Sequence, residues 1–545
     1  MIECARQRAF HVDGDLPPYP CISPVKTSNT EKIRSPAWRA FLVAAGITLL
    51  TLFVCRLVVI LDYPMGVDQG VFAWIGRVVA DGGRPYVDAW DVKGPGVFAV
   101  SGFLAMVMPG TLGMRLFDLL LQVAAVAVLA RHPIGTDDRR AGWLSAAVYA
   151  AGYAALGFHE TAQPDSWANA LLIIGLVPAL KAFDKSNREL LSRRLIVACA
   201  AVSFVSLFKP TYGAVGLVPI AMIAIAYRSA SGGEKMRVVA FSAMGLALPA
   251  LACVLWLQSL GALGEMWNVV VRWNSTVYAG SGTETPRHLL YALVYGYFKN
   301  VRWWPLGIIS SIPLILALRR PAAVVTAMWA AAVLIEIAAQ RKFWGYHWTP
   351  LLGPMAIAAA FGLADVRGPF RHGTVLKRAW TAASLSVMIA LLISVAWGER
   401  VRLLARQSPA ALVVLESYEP SLHGFDSLVA VVRKESRADD RVLFFGTLAI
   451  GNYTTDRASV SRLSMSRPLL DGAGTAVREA YRREFWRDWA QRPPRLVAAY
   501  SPRQCQAYPE VTWTCLAAFP ELTDRLQREF GPAEEIGGFL LFRRR

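Results

Sequence analysis

Three carboxylates and a lysine lie close together in the sequence, directly after the first long apolar run, residues 40–61. Asp68 comes first, and the stretch from Asp88 through Asp91 to Lys93 follows about twenty residues later. Any polar residues would serve a loop that needed only solubility. This loop combines a candidate general base, candidate acids and a cation that could hold a phosphate. The pattern predicts chemistry at a membrane surface, at the depth of a lipid headgroup.

Each of these residues also has a purely structural interpretation. Residues 70–80 have helical spacing and could lie along the membrane surface, which would place Asp68 at a helix start, where an N-cap is a common role for aspartate. A lysine beside carboxylates, such as Lys93, often forms only a surface ion pair. Lys93 lies, however, beside Trp90 and before a Gly-Pro turn, a setting that suits a phosphate ligand.

A second acidic group joins two later apolar runs and contains His159, Glu160 and Asp165. Ionisable residues at membrane depth are candidates for function. His159 and Glu160 resemble part of a zinc motif, but no second histidine follows at the fourth position, so the zinc signal is weak. Asp165 could instead cap the helix that begins at Ser166. The sequence leaves open whether a divalent metal ion takes part.

The third group leads into a late apolar run and contains Arg341, Lys342, Tyr346 and His347. Aromatic residues at this depth are usually interface residues. Cations beside aromatic rings and a histidine also suit an anionic headgroup attached to a sugar. Lys209 adds a further cation ahead of a proline.

The composition is that of a membrane protein. The chain has 545 residues, 55% of them hydrophobic, and a mean hydropathy of +0.38. Soluble domains have about 45–50% apolar residues even when glycine is counted. Several runs of about 17–22 residues are continuously apolar, which predicts membrane-spanning helices rather than strands. The net charge of +18 falls largely in short loops, as the positive-inside rule explains, and no motif indicates nucleic-acid binding.

We predict about eleven membrane spans, with the N-terminus in the cytoplasm and the C-terminus outside. The predicted spans are residues 40–61, 112–131, 141–157, 168–183, 194–209, 211–227, 237–258, 303–318, 321–339, 348–364 and 379–397. Five basic loops fall on alternate connections, which supports this register. Residues 95–109 are apolar but short, so we expect an interfacial or re-entrant helix there. The acidic groups described above then face outward.

The sequence divides into three predicted domains. Residues 1–36 are a polar leader, expected to be disordered and cytoplasmic, residues 37–398 form the transmembrane domain, and residues 399–545 form a soluble extracytoplasmic α/β domain. Short apolar strands near residues 441–446, 495–500 and 538–542 alternate with amphipathic helices in the last of these. Cys505 and Cys515 could pair outside the cytoplasm, but spacing alone leaves this open.

These residues resemble a known family. The pattern Pro-Tyr-x-Asp-x-x-Asp-x-Lys-x-Pro at residues 85–95, the acid at position 68 and the Arg-Lys-Phe-x-x-Tyr-His stretch at 341–347 are similar to the GT-C superfamily of integral-membrane glycosyltransferases. Within it they resemble the protein O-mannosyltransferase and lipid A aminoarabinose transferase group. The resemblance covers residues 40–365. Two departures are Gly94, where the family often has a second proline, and Gln69, which replaces a second acid.

The resemblance implies an inverting transfer from a polyprenyl-phosphate-linked sugar at the outer face of the cytoplasmic membrane. Asp68 matches the family's catalytic acid, which deprotonates or orients the acceptor, and Lys93 matches the lysine at the donor phosphate. We expect Arg341 and Lys342 to assist at the phosphate. The residues expected to position sugar or acceptor are Asp88, Asp91, His159, Glu160, Asp165, Lys209, Tyr346 and His347.

Two other functions were considered from the sequence. A transporter or flippase of a lipid-linked sugar would favour charges within the spans and repeated halves, but apart from Asp118 and Glu336 the predicted spans are nearly free of acids, and no repeat is evident. A sensor or scaffold with an inert membrane part would not need clustered external carboxylates. We therefore predict a glycosyltransferase whose acceptor is an extracytoplasmic lipid, polysaccharide or protein.

Overall fold

The computed structural model of this chain describes residues 65–156, 160–278, 286–362, 424–507 and 514–545, with a few isolated positions between 383 and 422. All of them belong to one compact unit, Leu49–Arg545. The leader, the first predicted span, most of the last predicted span and both predicted domain boundaries lie outside the described residues, as does His159.

Helices dominate the described residues between 65 and 362. The α-helices are α1 (Val67–Ala80), α2 (Pro95–Val107), α3 (Thr111–Arg131), α4 (Arg139–Ala154), α5 (Pro164–Asp184), α6 (Arg188–Ser206), α7 (Leu217–Ala226), α8 (Gly232–Ser259), α9 (Leu263–Met266), α10 (Pro286–Asn300), α11 (Trp304–Leu316), α12 (Pro321–Gln340) and α13 (Leu352–Ala360). Two 3₁₀ segments, Pro210–Gly216 and Gly345–Leu351, precede α7 and α13, and a π-helical segment, Trp267–Tyr278, follows α9.

Four helices in the described part of the chain are long and apolar enough to cross a membrane. They are Leu112–Arg131, Pro164–Asp184, Gly232–Ser259 and Pro321–Gln340. Pro95–Val107, Pro210–Ala226 and Trp304–Leu316 are apolar but shorter. Each predicted span that falls on described residues corresponds to helical structure, so the polytopic helical architecture is confirmed, while the number of spans stays a prediction.

The short apolar stretch after Lys93 folds as α2, a helix of 13 residues. At 1.5 Å per residue it is about 20 Å long, which is less than the roughly 30 Å of a hydrocarbon core. Its first residue is Pro95, whose fixed backbone angle and missing N–H suit the first helical position. The length agrees with the predicted interfacial helix.

The C-terminal region, residues 424–545, is built on a four-stranded mixed sheet in the order β1-β2-β4-β3. The strands are β1 (Val442–Phe444), β2 (Leu496–Tyr500), β3 (Glu534–Ile536) and β4 (Phe539–Arg543), and the α-helices are α14 (Phe425–Glu435), α15 (Ile450–Thr455), α16 (Arg467–Leu470), α17 (Ala476–Gln491), α18 (Pro502–Ala507) and α19 (Pro520–Glu529). β1 and β2 are parallel, and β4 pairs antiparallel with β2 and β3. The described residues of this region thus contain both strands and helices, while its assignment as a separate extracytoplasmic domain stays a prediction.

Two details of this region go beyond the sequence prediction. β3 carries two exposed glutamates and lacks the apolar pattern of the other strands, so no apolar signal marks it. Cys505 and Cys515, whose pairing the spacing left open, form a disulfide with Cα atoms 6.3 Å apart.

The C-terminal region packs directly on the loop that carries Lys93. The backbone N–H of Trp90 donates to the Arg462 carbonyl at 3.0 Å, and the Trp90 indole donates to the Tyr481 hydroxyl at 3.2 Å. Arg462 also pairs with Glu265 at 2.7 Å. These contacts fix the acidic loop between the two parts of the molecule.

Candidate active site

Asp68 lies at the second position of α1 and is partly buried. The N-cap is Gly66, whose N–H donates to the Gln69 side chain at 3.3 Å, so the N-cap interpretation of Asp68 is wrong. Gln69 in turn donates to the Thr161 carbonyl at 2.8 Å, which anchors the helix start to a neighbouring loop. Because Gln69 holds the helix terminus, the Asp68 carboxylate is available for another role.

The loop that carries Lys93 is closed by local hydrogen bonds. The fully buried Tyr86 donates its hydroxyl to the Lys93 carbonyl at 2.8 Å, and the Lys93 N–H donates to the Asp91 carboxylate at 2.8 Å. Asn274 holds the loop from outside by donating to the Val92 carbonyl at 3.0 Å. The loop therefore presents the Lys93 side chain from a fixed backbone.

Gly94 explains one departure from the family pattern. Its N–H donates to the Phe208 carbonyl at 2.8 Å, a bond that proline could not make. A Cβ atom at this position would lie 2.1 Å from the Leu207 carbonyl oxygen. The small residue lets the loop pack against the end of α6, and this contact brings Lys93 beside the segment that carries Lys209.

Tyr346 joins these elements. Its hydroxyl is hydrogen-bonded to the Asp68 side chain, and the ammonium groups of Lys93 and Lys209 lie 5.7 and 5.5 Å from its ring centroid. Burial raises the pKa of Tyr346 well above its ordinary value, and Asp68 adds to this, so the phenol stays protonated. One tyrosine thus links the candidate base to two cations.

Asp165 and Lys209 form a buried ion pair beside this tyrosine. The Lys209 ammonium lies 2.7 and 2.8 Å from the two Asp165 oxygens, and the Tyr212 hydroxyl donates to the same carboxylate at 2.6 Å. Asp165 is fully buried at the second position of α5, where Gln163 is the N-cap, so Asp165 does not cap this helix. Lys209 also donates to the Gln340 side chain at 3.2 Å.

His347 is buried next to Tyr346, with ring centroids 4.5 Å apart. Its Nδ1 donates to the Lys342 carbonyl. Burial lowers the pKa of His347 well below its ordinary value, and the nearby ammonium groups of Lys209 and Lys93 lower it further, against the opposing effect of Asp165. The imidazole is therefore neutral at physiological pH.

Neighbouring acidic and phenolic groups keep the Lys93 ammonium charged. Burial would lower the pKa of the ammonium, but Asp68, Tyr278, Asp165 and Asp91 outweigh it and raise the pKa above the ordinary value. A permanently charged lysine suits a site for a phosphate.

Of three further predicted site residues, two are exposed and one lies near Tyr346. Asp88 is exposed and pairs with Arg84 at 3.0 Å, and Arg341 is exposed at the left-handed end of α12. Glu160 lies against the segment that carries Tyr346, because a Cβ at Gly345 would come 1.8 Å from its carboxylate oxygen. Within the described residues no group of three or more histidine, cysteine, aspartate or glutamate side chains is arranged to hold a metal ion.

No sequence pattern marks four residues that contact the predicted site residues or their neighbours, namely Tyr212, Gln340, Tyr278 and Arg467. A tyrosine next to Lys209 and a glutamine before Arg341 are weak signals, since either could be an ordinary interface residue. Arg467 comes from the soluble region and no local pattern distinguishes it.

The pH dependence of stability tests the environment of Asp91. Burial raises the pKa of Asp91 to about 6, although Lys93 opposes the shift. The folded state therefore keeps a proton on Asp91 that the unfolded chain releases near pH 4. The stabilisation of the fold by this proton is complete below about pH 4 and is lost as the pH rises through about 6. Asp91→Asn keeps an acceptor for the Lys93 N–H but does not titrate. The Tm of this variant relative to wild type should rise between about pH 4 and pH 7; a constant difference would contradict the buried environment.

The overall fold of this chain is similar to that of a membrane protein whose structure has been solved in two states. Two crystal structures of ArnT from Cupriavidus metallidurans, one bound to undecaprenyl phosphate and one in the apo state, superimpose with TM-scores of 0.57 and 0.56. In both, 15% of residues are identical, and the match covers 93% of this chain and 98% of ArnT. The likeness confirms the predicted GT-C-like fold.

A weaker structural match is arabinosyltransferase EmbB from Mycobacterium smegmatis, with a TM-score of 0.38, 13% identity, and coverage of 72% of this chain and 43% of EmbB. It adds nothing to the assignment of the fold. At the level of sequence, no known family profile and no curated protein matches this chain.

Proposed function

We propose that this protein is a multi-pass glycosyltransferase of the cytoplasmic membrane that moves a sugar from a polyprenyl-phosphate carrier to an extracytoplasmic acceptor. The observation that carries the proposal is the meeting of Asp68 and Lys93 at Tyr346. A carboxylate and an ammonium that both lie next to one phenol can serve an acceptor hydroxyl and a donor phosphate at the same time. The GT-C fold and the undecaprenyl phosphate bound to ArnT support the choice of donor.

The proposed reaction is a single displacement with inversion. Asp68 accepts the proton of the acceptor hydroxyl as its oxygen attacks the anomeric carbon. The bond from that carbon to the phosphate oxygen breaks, and the polyprenyl phosphate leaves with the electron pair. Lys93 stabilises the charge that develops on the phosphate. Because the phosphate is already a good leaving group, no separate acid is needed.

Supporting roles follow from the contacts. The Asp165–Lys209 pair and His347 hold Tyr346 between the base and the phosphate cation. Asp91 fixes the backbone of Lys93. Asp88, Asp91 and Glu160 lie on segments that would border the sugar or the acceptor, and the same role for His159 is kept from the sequence. We place residues 399–545 outside the cytoplasm and the N-terminus inside.

A panel of polyprenyl-phosphate sugars tests the function. Purified protein in detergent should release polyprenyl phosphate from at least one donor when an extracytoplasmic lipid or glycan fraction is present. In proteoliposomes the flippase alternative predicts movement of intact donor across the bilayer without release. Transport without cleavage would overturn the proposal.

Lys93→Ala tests the phosphate role. Charge-assisted bonds to phosphate contribute more than neutral hydrogen bonds, so loss of this cation should raise the KM for the donor by about ten- to a hundredfold. Lys235→Ala, an exposed lysine in the first turn of α8, is the matched control and should behave as wild type. If Lys93→Ala left both kcat and the donor KM unchanged, Lys93 would have no role at the phosphate.

A further inference from the structure

Two cations lie close to the ring of Tyr278. The Lys342 ammonium lies 4.8 Å from its ring centroid, and the Arg467 guanidinium carbon lies 5.1 Å from it. Lys342 follows α12, whereas Arg467 begins α16 in the C-terminal region. Two parts of the chain separated by more than a hundred residues therefore place positive charge at one ring.

The position of Arg467 is fixed by its neighbours. Ser466 exchanges two hydrogen bonds with Gly446, at the end of β1, with distances of 3.0 and 2.7 Å. Arg467 pairs with Asp471 at 3.0 Å. Gly472 has a φ of +73°, and a Cβ there would lie 2.8 Å from the Val277 side chain. The segment thus packs tightly on the π-helical segment that ends at Tyr278.

The paired cations adjoin the candidate active site. Tyr278 stacks on Trp273 with ring centroids 5.7 Å apart, and Trp273 packs edge-on against Trp90 of the acidic loop at 5.1 Å. Tyr278 and Lys93 interact electrostatically, as do Arg467 and Asp91. The two cations therefore lie near the loop that carries Lys93.

The two cations also disfavour each other. Burial lowers the pKa of Lys342, and the charge on Arg467 lowers it further, while Asp471 opposes the shift. An anionic group between the two side chains would relieve this repulsion. Arginine offers a planar pair of donors that matches phosphate oxygens, and lysine adds a point charge.

We propose that Lys342 and Arg467 form a second anion subsite that binds a phosphate group of a lipid substrate, so that the C-terminal region completes the active site. This rests on the proposed function only for the identity of the lipid. The phosphate belongs either to the polyprenyl carrier or to a phosphorylated lipid acceptor. The chemistry of recognition is the same for both.

Binding to the full chain in detergent tests the subsite without any turnover. The probes are undecaprenyl phosphate and phosphatidic acid, and the readout is the intrinsic tryptophan fluorescence, to which Trp273 beside Tyr278 contributes. Arg467→Gln should weaken binding of at least one probe by about ten- to a hundredfold, as expected for a lost charge-assisted bond. Lys342→Gln should also weaken binding of the probe, and Arg467→Lys should weaken it less than Arg467→Gln does.

The control is Arg528→Gln, an exposed arginine at the end of α19 that should bind as wild type does. A loss confined to undecaprenyl phosphate assigns the subsite to the carrier, and a loss confined to phosphatidic acid assigns it to a second lipid. Wild-type affinity for both probes in folded Arg467→Gln and Lys342→Gln overturns the subsite alone. If wild type binds neither probe, the subsite and the proposed donor class fail together.

Discussion

Asp68→Asn should reduce sugar transfer by about a thousandfold, within the roughly 10²–10⁴ range that general-base catalysis contributes. Asparagine has nearly the shape of aspartate and can still bond the Tyr346 hydroxyl, but it cannot accept a proton from the acceptor. Gly66 is the N-cap and the Gln69 side chain accepts its N–H, so Asp68 does not hold the helix start. The variant should therefore stay folded. Release of polyprenyl phosphate from the active donor is the measurement.

Asp81→Asn is the matched control for this substitution. Asp81 is exposed at the other end of the same helix and should tolerate the change without loss of transfer. Near-normal transfer in Asp68→Asn would reject Asp68 as the base. Equal donor affinity in Asp68→Asn and wild type, measured with undecaprenyl phosphate, would separate the loss of proton transfer from a loss of binding.

Separating the Asp165–Lys209 pair should have the second large effect, on stability. The Asp165 side chain is 0% exposed and that of Lys209 is 8% exposed. Removing one member leaves the other as an uncompensated buried charge, which costs about 3–5 kcal/mol. Asp165→Asn and Lys209→Met should therefore each lower the Tm in detergent strongly.

The double variant distinguishes a structural ion pair from two independent substrate ligands. With both charges removed, no buried charge is left unpaired, so Asp165→Asn with Lys209→Met should be more stable than the sum of the single losses predicts. Activity should stay low, because the pair supports Tyr346. Additive losses in Tm would contradict the proposed coupling.

The sequence predicted the parts of the site that lie in strong local patterns. Asp68, Lys93 and Tyr346 lie in polar stretches between apolar runs, where function at a membrane surface is the natural expectation, and the structure brings them together. Helix positions were predictable for the same reason, since continuous apolar runs have few alternatives in lipid. The short helix α2 was predictable because the apolar run at residues 95–109 is too short to span a bilayer.

Contacts between distant segments could not be predicted. Asp165 pairs with Lys209, which lies 44 residues further along the chain, and no local sequence pattern identifies either residue as the partner of the other. Asp68 and Asp165 could each have capped a helix by residue type, and only the structure shows that the N-caps are Gly66 and Gln163 instead. Arg467 reaches the site only through the packing of the C-terminal region, so its role needed three-dimensional information.

The most direct test of the central claim is a cryo-EM structure of the protein with undecaprenyl phosphate. We expect density for the phosphate within hydrogen-bonding distance of the Lys93 ammonium, on the side of Tyr346 that faces Asp68. A phosphate bound elsewhere, with Asp68, Lys93 and Tyr346 in contact only with one another, would contradict the proposed active site.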